Sequence, residues 1–221
     1  MYFIFVVLFS FFCLFQAPRV QSPDKELNKF EKEIVAFEEL DKKQPVKTGG
    51  ILFVGSSTIR KWKLSNNFPD RSDLINRGFG GSEISDSVKY ANRIIIPYKP
   101  RQIVFYAGDN DLANSKKPET LLEDYRQLVK VIRQSLPDTE ILFLCIKPSP
   151  SREKLLPFQN QANALIEAEI QKDPKSKFID FRKAILDRNG MAKPELFEKD
   201  LLHLNLDGYM QVAEVLKPYL K

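Results

Sequence analysis

The sequence predicts an α/β fold, with an open, mostly parallel five-stranded sheet and helices on both faces. Three observations carry this. Apolar, β-branched runs recur at 51–54, 73–76, 102–107, 140–146 and 177–180. Amphipathic helical patterns alternate with them, near 83–95, 119–135, 152–172 and 207–219. The runs at 102–107 and 140–146 are almost continuously apolar, as a parallel strand covered on both faces must be.

Before the first strand, residues 24–41 read as a helix. Leu27, Phe30, Ile34, Phe37 and Leu40 recur at helical spacing, with Lys and Glu between them. That periodicity favours packing on the sheet over a spacer or a partner-binding arm. A polar linker with Pro45 follows and stops at Gly49-Gly50. The first fifteen residues are apolar and carry no charged side chain. The run is short for a membrane span and suits the core of a signal peptide. No Lys or Arg precedes it, and proline follows both Ala17 and Ser22. The expectation is export, to the periplasm or outside the cell, with a retained membrane anchor as the alternative. The chain then divides into residues 1–22 (signal peptide or anchor), 23–48 (helix and linker) and 49–221 (the main domain).

A chain of 221 residues with 43% hydrophobic and 29% charged residues can build one good-sized core, which excludes wholesale disorder. The net charge is +5, and the lysines are scattered among glutamates rather than clustered with aromatics. That is a solvated surface, not a nucleic-acid face. An anionic substrate or a membrane surface stays compatible with it. Of the two cysteines, Cys13 lies in the apolar leader, so cleavage leaves Cys145 alone and no intrachain disulfide.

In open α/β sheets, ligands bind outside the carboxyl ends of the strands. The residues following the apolar runs are Gly55-Ser56-Ser57, then Arg77-Gly78-Phe79-Gly80-Gly81-Ser82, then Gly108-Asp109-Asn110-Asp111, then Lys147 to Ser151. Ahead of the last helix lies Asp200-Leu201-Leu202-His203. His203 is the single histidine. Asp200, three residues earlier, can receive its Nδ1–H in a tight turn, and Asp207 is available to cap the last helix by itself. A serine hydroxyl needs a base to become a nucleophile, and Ser56 or Ser57 could pair with His203. Gly80-Gly81 offers backbone N–H groups and Asn110 a side-chain amide for a developing oxyanion. Asp109 and Asp111 leave a hard-metal site open.

These blocks resemble the SGNH hydrolases, also called the GDSL esterase/lipase family, from about Gly49 to the C-terminus. Gly55-Ser56-Ser57 resembles the Gly-Asp-Ser block. Asn76 to Ser82 resembles the second block, Gly108-Asp109-Asn110-Asp111 the third, and Asp200-Leu201-Leu202-His203 the Asp-x-x-His block. The resemblance implies a flavodoxin-like three-layer α/β/α sandwich. It implies a catalytic triad of Ser57, His203 and Asp200, and an oxyanion hole of Ser57, Gly81 and Asn110. It implies no cofactor or metal, and an acyl-enzyme route for carboxylic esters of small molecules, carbohydrates or lipids. Ser56 departs from the family pattern by replacing its aspartate. Arg60, Lys147 and Arg152, near the expected site, hint at an anionic group on the substrate. No long apolar lid is evident, which favours a short acyl chain. The alternatives are a lysophospholipase or thioesterase, a catalytically silent binding module, and a metal-dependent phosphoesterase using Asp109 and Asp111.

Overall fold

A computed structural model of the chain describes residues 29–45 and 47–221. Residues 1–22, the expected signal peptide or membrane anchor, lie outside the described residues. Among the described residues, no helix is long and apolar enough to cross a membrane.

Five parallel strands form one sheet: β1 (Ile51–Gly55), β2 (Leu74–Gly78), β3 (Gln102–Tyr106), β4 (Glu140–Leu144) and β5 (Ser176–Ile179), in the order β2-β1-β3-β4-β5. Each expected strand is present. The alternation of side chains along each strand builds two cores at once. Leu52, Val54, Ile103, Phe105, Ile141 and Phe143 face one layer of helices. Ile51, Phe53, Val104, Tyr106, Leu142 and Leu144 face the other. Both faces are covered, so the polar alternation of a half-exposed strand is missing and the strands read as apolar runs.

The first layer contains α1 (Glu31–Lys43), α4 (Ile84–Ile94), α6 (Pro118–Ser135) and α7 (Leu156–Ile170). The second is built around α2 (Ser57–Lys61), α3 (Leu64–Asn67), α8 (Arg182–Ile185) and α9 (Leu206–Leu216), and α5 (Asp109–Ala113) follows β3. The helix expected at 24–41 spans 31–43 among the described residues, and it packs, with Phe30 and Ile34 buried in the first core. The helix expected over 152–172 starts later. Residues Pro150–Leu155 form a 3-10 turn in which Arg152 leaves helical geometry (φ −122°, ψ 27°). Pro157 sits in the first turn of α7, where its missing N–H costs nothing, and its ring would clash within a continuing helix. The cap of α9 is Asn205, whose Oδ1 accepts from Gly208 N–H at 3.0 Å, so Asp207 lies inside the first turn instead.

This strand order places a switch point between β1 and β3, where connections leave in opposite directions. In open α/β sheets such a point, at the carboxyl ends of the strands, is where ligands bind. Ser57 follows β1 and Asn110 follows β3, so the two loops flank that switch point.

Candidate active site

Gly55 ends β1 at φ +136°, and a Cβ there would fall 1.9 Å from the Tyr106 carbonyl oxygen. Only glycine lets the chain turn this close to β3. Ser56 then donates its N–H to Tyr106 O at 2.9 Å and is buried, while Ser57 takes the first position of α2. Of the two serines, Ser57 is the one brought to the histidine. His203 Nε2 lies 2.9 Å from Ser57 Oγ, and His203 Nδ1 lies 2.6 Å from Asp200 Oδ2. An ionised carboxylate can only accept, so Nδ1 carries the proton and Nε2 is left as the acceptor for the serine hydroxyl.

The loop bearing Asp200 and His203 is held from several sides. Asp200 Oδ1 accepts the N–H groups of Leu202 and His203, both at 3.0 Å, the turn anticipated from the three-residue spacing. Leu201 between them takes a left-handed conformation (φ 54°). Its carbonyl accepts Ser151 N–H at 3.1 Å and Ser151 O–H at 3.0 Å. Lys147 Nζ donates to Leu202 O at 2.8 Å. Partial desolvation alone would raise the Asp200 carboxyl. The hydrogen bonds from the His203 ring and from the N–H groups of His203 and Leu202 outweigh it and hold the group well below the usual carboxylate range. Asp200 is therefore a permanent anion at neutral pH, as an orienting partner for imidazole must be.

Gly81 follows β2 at φ +79°. Among the described residues, neither its N–H nor that of Ser57 has a hydrogen-bond acceptor. Asn110 lies in the first turn of α5, with Nδ2 donating to Ser82 O at 3.0 Å and Oδ1 accepting from Arg152 Nη2 at 3.2 Å. The residues expected as nucleophile, base, carboxylate and oxyanion donors thus stand on four loops at one edge of the sheet.

A family model for the GDSL-like lipase/acylhydrolases matches residues 55–211, well over half of the chain. The chain belongs to that family. It is a carboxylic ester hydrolase of the SGNH type. Solved structures share its fold at low sequence identity. A Streptococcus pneumonia protein described as a candidate platelet activating factor superposes with a TM-score of 0.78 at 22% identity, covering 88% of this chain and 94% of that one. A GDSL-like lipase from Bacteroides thetaiotaomicron gives 0.66 at 18% identity, covering 87% and 95%. A catalytic mutant of an acetylxylan esterase from Geobacillus stearothermophilus gives 0.61 at 15% identity, covering 78% and 94%. No curated protein matches the sequence.

In this GDSL-like hydrolase the three expected substrate contacts take different places. Lys147 is 1% exposed, with its ammonium under the His203 loop and 3.6 Å from Asp109 Oδ2. Burial pushes that ammonium's pKa down, and the Asp109 charge partly restores it. Lys147 therefore braces the Asp200–His203 loop and offers no free charge to a ligand. Arg152 faces Asp109 and Asn110, with Nη1 donating to Asp109 O at 2.9 Å and pairing with Asp109 Oδ1 at 2.8 Å. Arg60 is half-exposed; its guanidinium lies against Gly80 and pairs with Glu33 of α1 at 3.5 Å.

The carboxylates proposed for a hard metal are already engaged. Asp109 faces Arg152 and Lys147, while Asp111 is buried on Ile84 N–H and 3.5 Å from Lys116 Nζ. Among the described residues, Glu198, Asp200 and His203 are the group whose ligand atoms could share a cation, lying within 4.8 Å of one another. Glu198 is paired with Lys61, and the other two are bonded to each other.

Sequence reasoning missed two buried amides on α7. Asn163 bonds both the N–H and the carbonyl of Ile146, at 2.8 and 2.9 Å. Gln159 donates to Lys147 O at 3.2 Å. Together they take up backbone groups where β4 leaves the sheet. Two amides four residues apart on an otherwise apolar helix face were the available signal.

Proposed function

We propose that this enzyme hydrolyses short-chain carboxylic esters, such as an acetyl group on a carbohydrate, through a Ser57 acyl-enzyme. The continuous line from Ser57 Oγ through the His203 ring to Asp200, with contacts of 2.9 and 2.6 Å, carries the reading. Nε2 of His203 removes the Ser57 proton as Oγ attacks the ester carbonyl. The Ser57 and Gly81 N–H groups and the Asn110 amide stabilise the oxyanion. The imidazolium, balanced by Asp200, protonates the leaving alcohol. A water deprotonated by the same nitrogen then releases the acid and restores Ser57.

A lysophospholipid or another ester with a long acyl chain is the second reading. Leu201, within the catalytic loop, is 41% exposed, and Leu206 and Met210, on one face at the start of α9, are 67% and 46% exposed. These side chains could meet an acyl chain at the rim of the site.

Initial rates on p-nitrophenyl esters from acetate to palmitate, wild type beside Ser57→Ala, with and without chelator, test both. The expected result is activity that survives chelator and falls roughly 10⁴–10⁶-fold in the variant. Near-normal turnover by Ser57→Ala would refute the assignment. A rate maximum at acetate supports the first reading, and a maximum at long chains the second.

A further inference from the structure

We propose that Arg152 is a positioning residue for the oxyanion hole, acting through the side-chain amide of Asn110. This deepens the mechanism above and rests on Asn110 being an oxyanion donor.

An asparagine amide can point either way, and only one orientation offers N–H to an oxyanion. Two neighbours fix it here. Arg152 Nη2 stands 3.2 Å from one end of the amide, and a guanidinium can only donate. The Ser82 carbonyl stands 3.0 Å from the other end and can only accept. Oδ1 must therefore face Arg152 and Nδ2 must face Ser82. Turning the amide over would oppose donor to donor and acceptor to acceptor. Ser82 O takes one of the two Nδ2 hydrogens, and the second remains for the substrate. The cation on Oδ1 also polarises the amide, which strengthens both N–H donors.

The guanidinium is itself held, which makes it a fixed reference. Nη1 bonds the Asp109 carbonyl at 2.9 Å and its carboxylate at 2.8 Å. Asp109 is buried and also faces Lys147, 3.6 Å away. Arg152 sits where the chain breaks from helical geometry, in the 3-10 turn between β4 and α7. That break aims its side chain back across the sheet edge toward α5. The next residue toward the N-terminus, Ser151, holds the Leu201 carbonyl. One short turn thus fixes both the oxyanion amide and the loop that carries the base. Lysine could keep the charge beside Asp109 but not the planar fork that reaches two partners.

The test is a double-mutant cycle on the full chain with p-nitrophenyl acetate, joined to NMR of the Asn110 side-chain amide. Arg152→Gln should lower kcat roughly tenfold with KM unchanged, against about 10²–10³-fold for Asn110→Ala. In the Asn110→Ala background, Arg152→Gln should cost nothing further, because residues acting through one group are not additive. Arg152→Lys, which keeps the charge on Asp109, should still lose most of the same kcat. Independent effects that multiply, or a raised KM with kcat intact, would overturn the proposal and make Arg152 a substrate contact. The NMR arm does not depend on turnover. The Asn110 amide protons, identified by their loss in Asn110→Ala, should give two distinct, slowly exchanging signals in the wild type and should shift and broaden in Arg152→Gln. Unchanged signals would also overturn it. An enzyme without Ser57-dependent hydrolysis would instead strike the mechanism above, and the amide signals would still decide the role of Arg152.

Discussion

Asp111 shows how one residue beside the site couples to pH. It is fully buried at the start of α5, Oδ1 accepts Ile84 N–H at 3.2 Å, and Oδ2 has no partner among the described residues. Desolvation pushes its carboxyl up to about 7, the Glu83 charge adds to this, and Lys116 opposes it. The sign follows from proton counting. The unfolded carboxyl, with an ordinary value near 3.8, releases its proton first, so between about pH 4 and 7 the folded state binds the extra proton. Folding stability from this group is full below that window and is lost as pH rises through it, by at most about 1.4 kcal/mol per unit. Asp111→Asn keeps an acceptor for Ile84 and cannot ionise. Urea midpoints measured from pH 4 to 8 should fall with pH in the wild type more steeply than in the variant. Parallel curves would mean that Asp111 stays ionised across the range.

At the scale of elements, α1 is tied to the edge of the sheet that carries the candidate site by charge as well as by its apolar face. The Arg77 guanidinium, on β2, lies between the rings of Phe37 and Tyr98, at 5.2 and 4.9 Å. It pairs with Asp41 of α1, and its Nε donates to Tyr98 Oη at 2.6 Å. Tyr98 in turn donates to Asp41. Its largest shift, from burial, and the Asp41 carboxylate push the tyrosine hydroxyl up to about 12, so it remains a donor. β2 leads directly into the Gly80–Gly81 turn, so anchoring Arg77 also anchors the loop proposed to offer the Gly81 N–H to the oxyanion. Asp41→Ala leaves a nearly buried cation without its counter-charge and should cost about 2–3 kcal/mol in denaturant unfolding. Adding Arg77→Met should restore part of that, since the unpaired charge goes with it. A change within about 0.5 kcal/mol for Asp41→Ala would show the pair to be an ordinary surface contact.

The same scale explains what could be read in advance. Strands were legible because two-sided burial makes them apolar runs: β3 was expected at 102–107 and spans Gln102–Tyr106. β4 was expected to run to 146 and leaves the ladder after Leu144, although Cys145 and Ile146 stay buried. Asn163 supplies the hydrogen bonds to Ile146 that a strand neighbour would have given. The five-residue α2 and α5 and the four-residue α3 and α8 are too short for a 3.6-residue period to show. Ser56 or Ser57, Asp200 and His203 were legible as candidates because each follows a recognisable strand or precedes a recognisable helix. The choice of Ser57 came from the family resemblance, and it is Ser57 that stands 2.9 Å from His203 Nε2. Lys147 and Arg152 were readable as basic residues near the site but not as braces. Their partners, Leu202 O and the Asp109–Asn110 pair, come from segments more than forty residues away.

For the whole molecule, one side chain reports on global cooperativity. Cys145 is fully buried between the β4 end and the second helix layer, where its N–H bonds Ile179 O at 3.0 Å. Burial is the main cause that pushes its thiol far above the ordinary value, with the Asp180 charge adding to it, so in the native state no thiolate is offered to a reagent. The residue lies one step past the sheet, and the packing around it draws on β4, β5 and α8 together. On that packing, an opening that exposes it should separate the sheet from its helices. In a full chain carrying Cys13→Ser, alkylation of Cys145 should therefore wait for global unfolding. Under conditions where reclosing outpaces labelling, the logarithm of the rate should rise with urea with a slope equal to the equilibrium m-value. A labelling rate that ignores urea would reveal a local opening at the β4 end. That would place a flexible seam beneath the Lys147–Arg152 segment, and the rigidity that the Asn110 amide and the Asp200–His203 loop are proposed to draw from that turn would have to come from elsewhere.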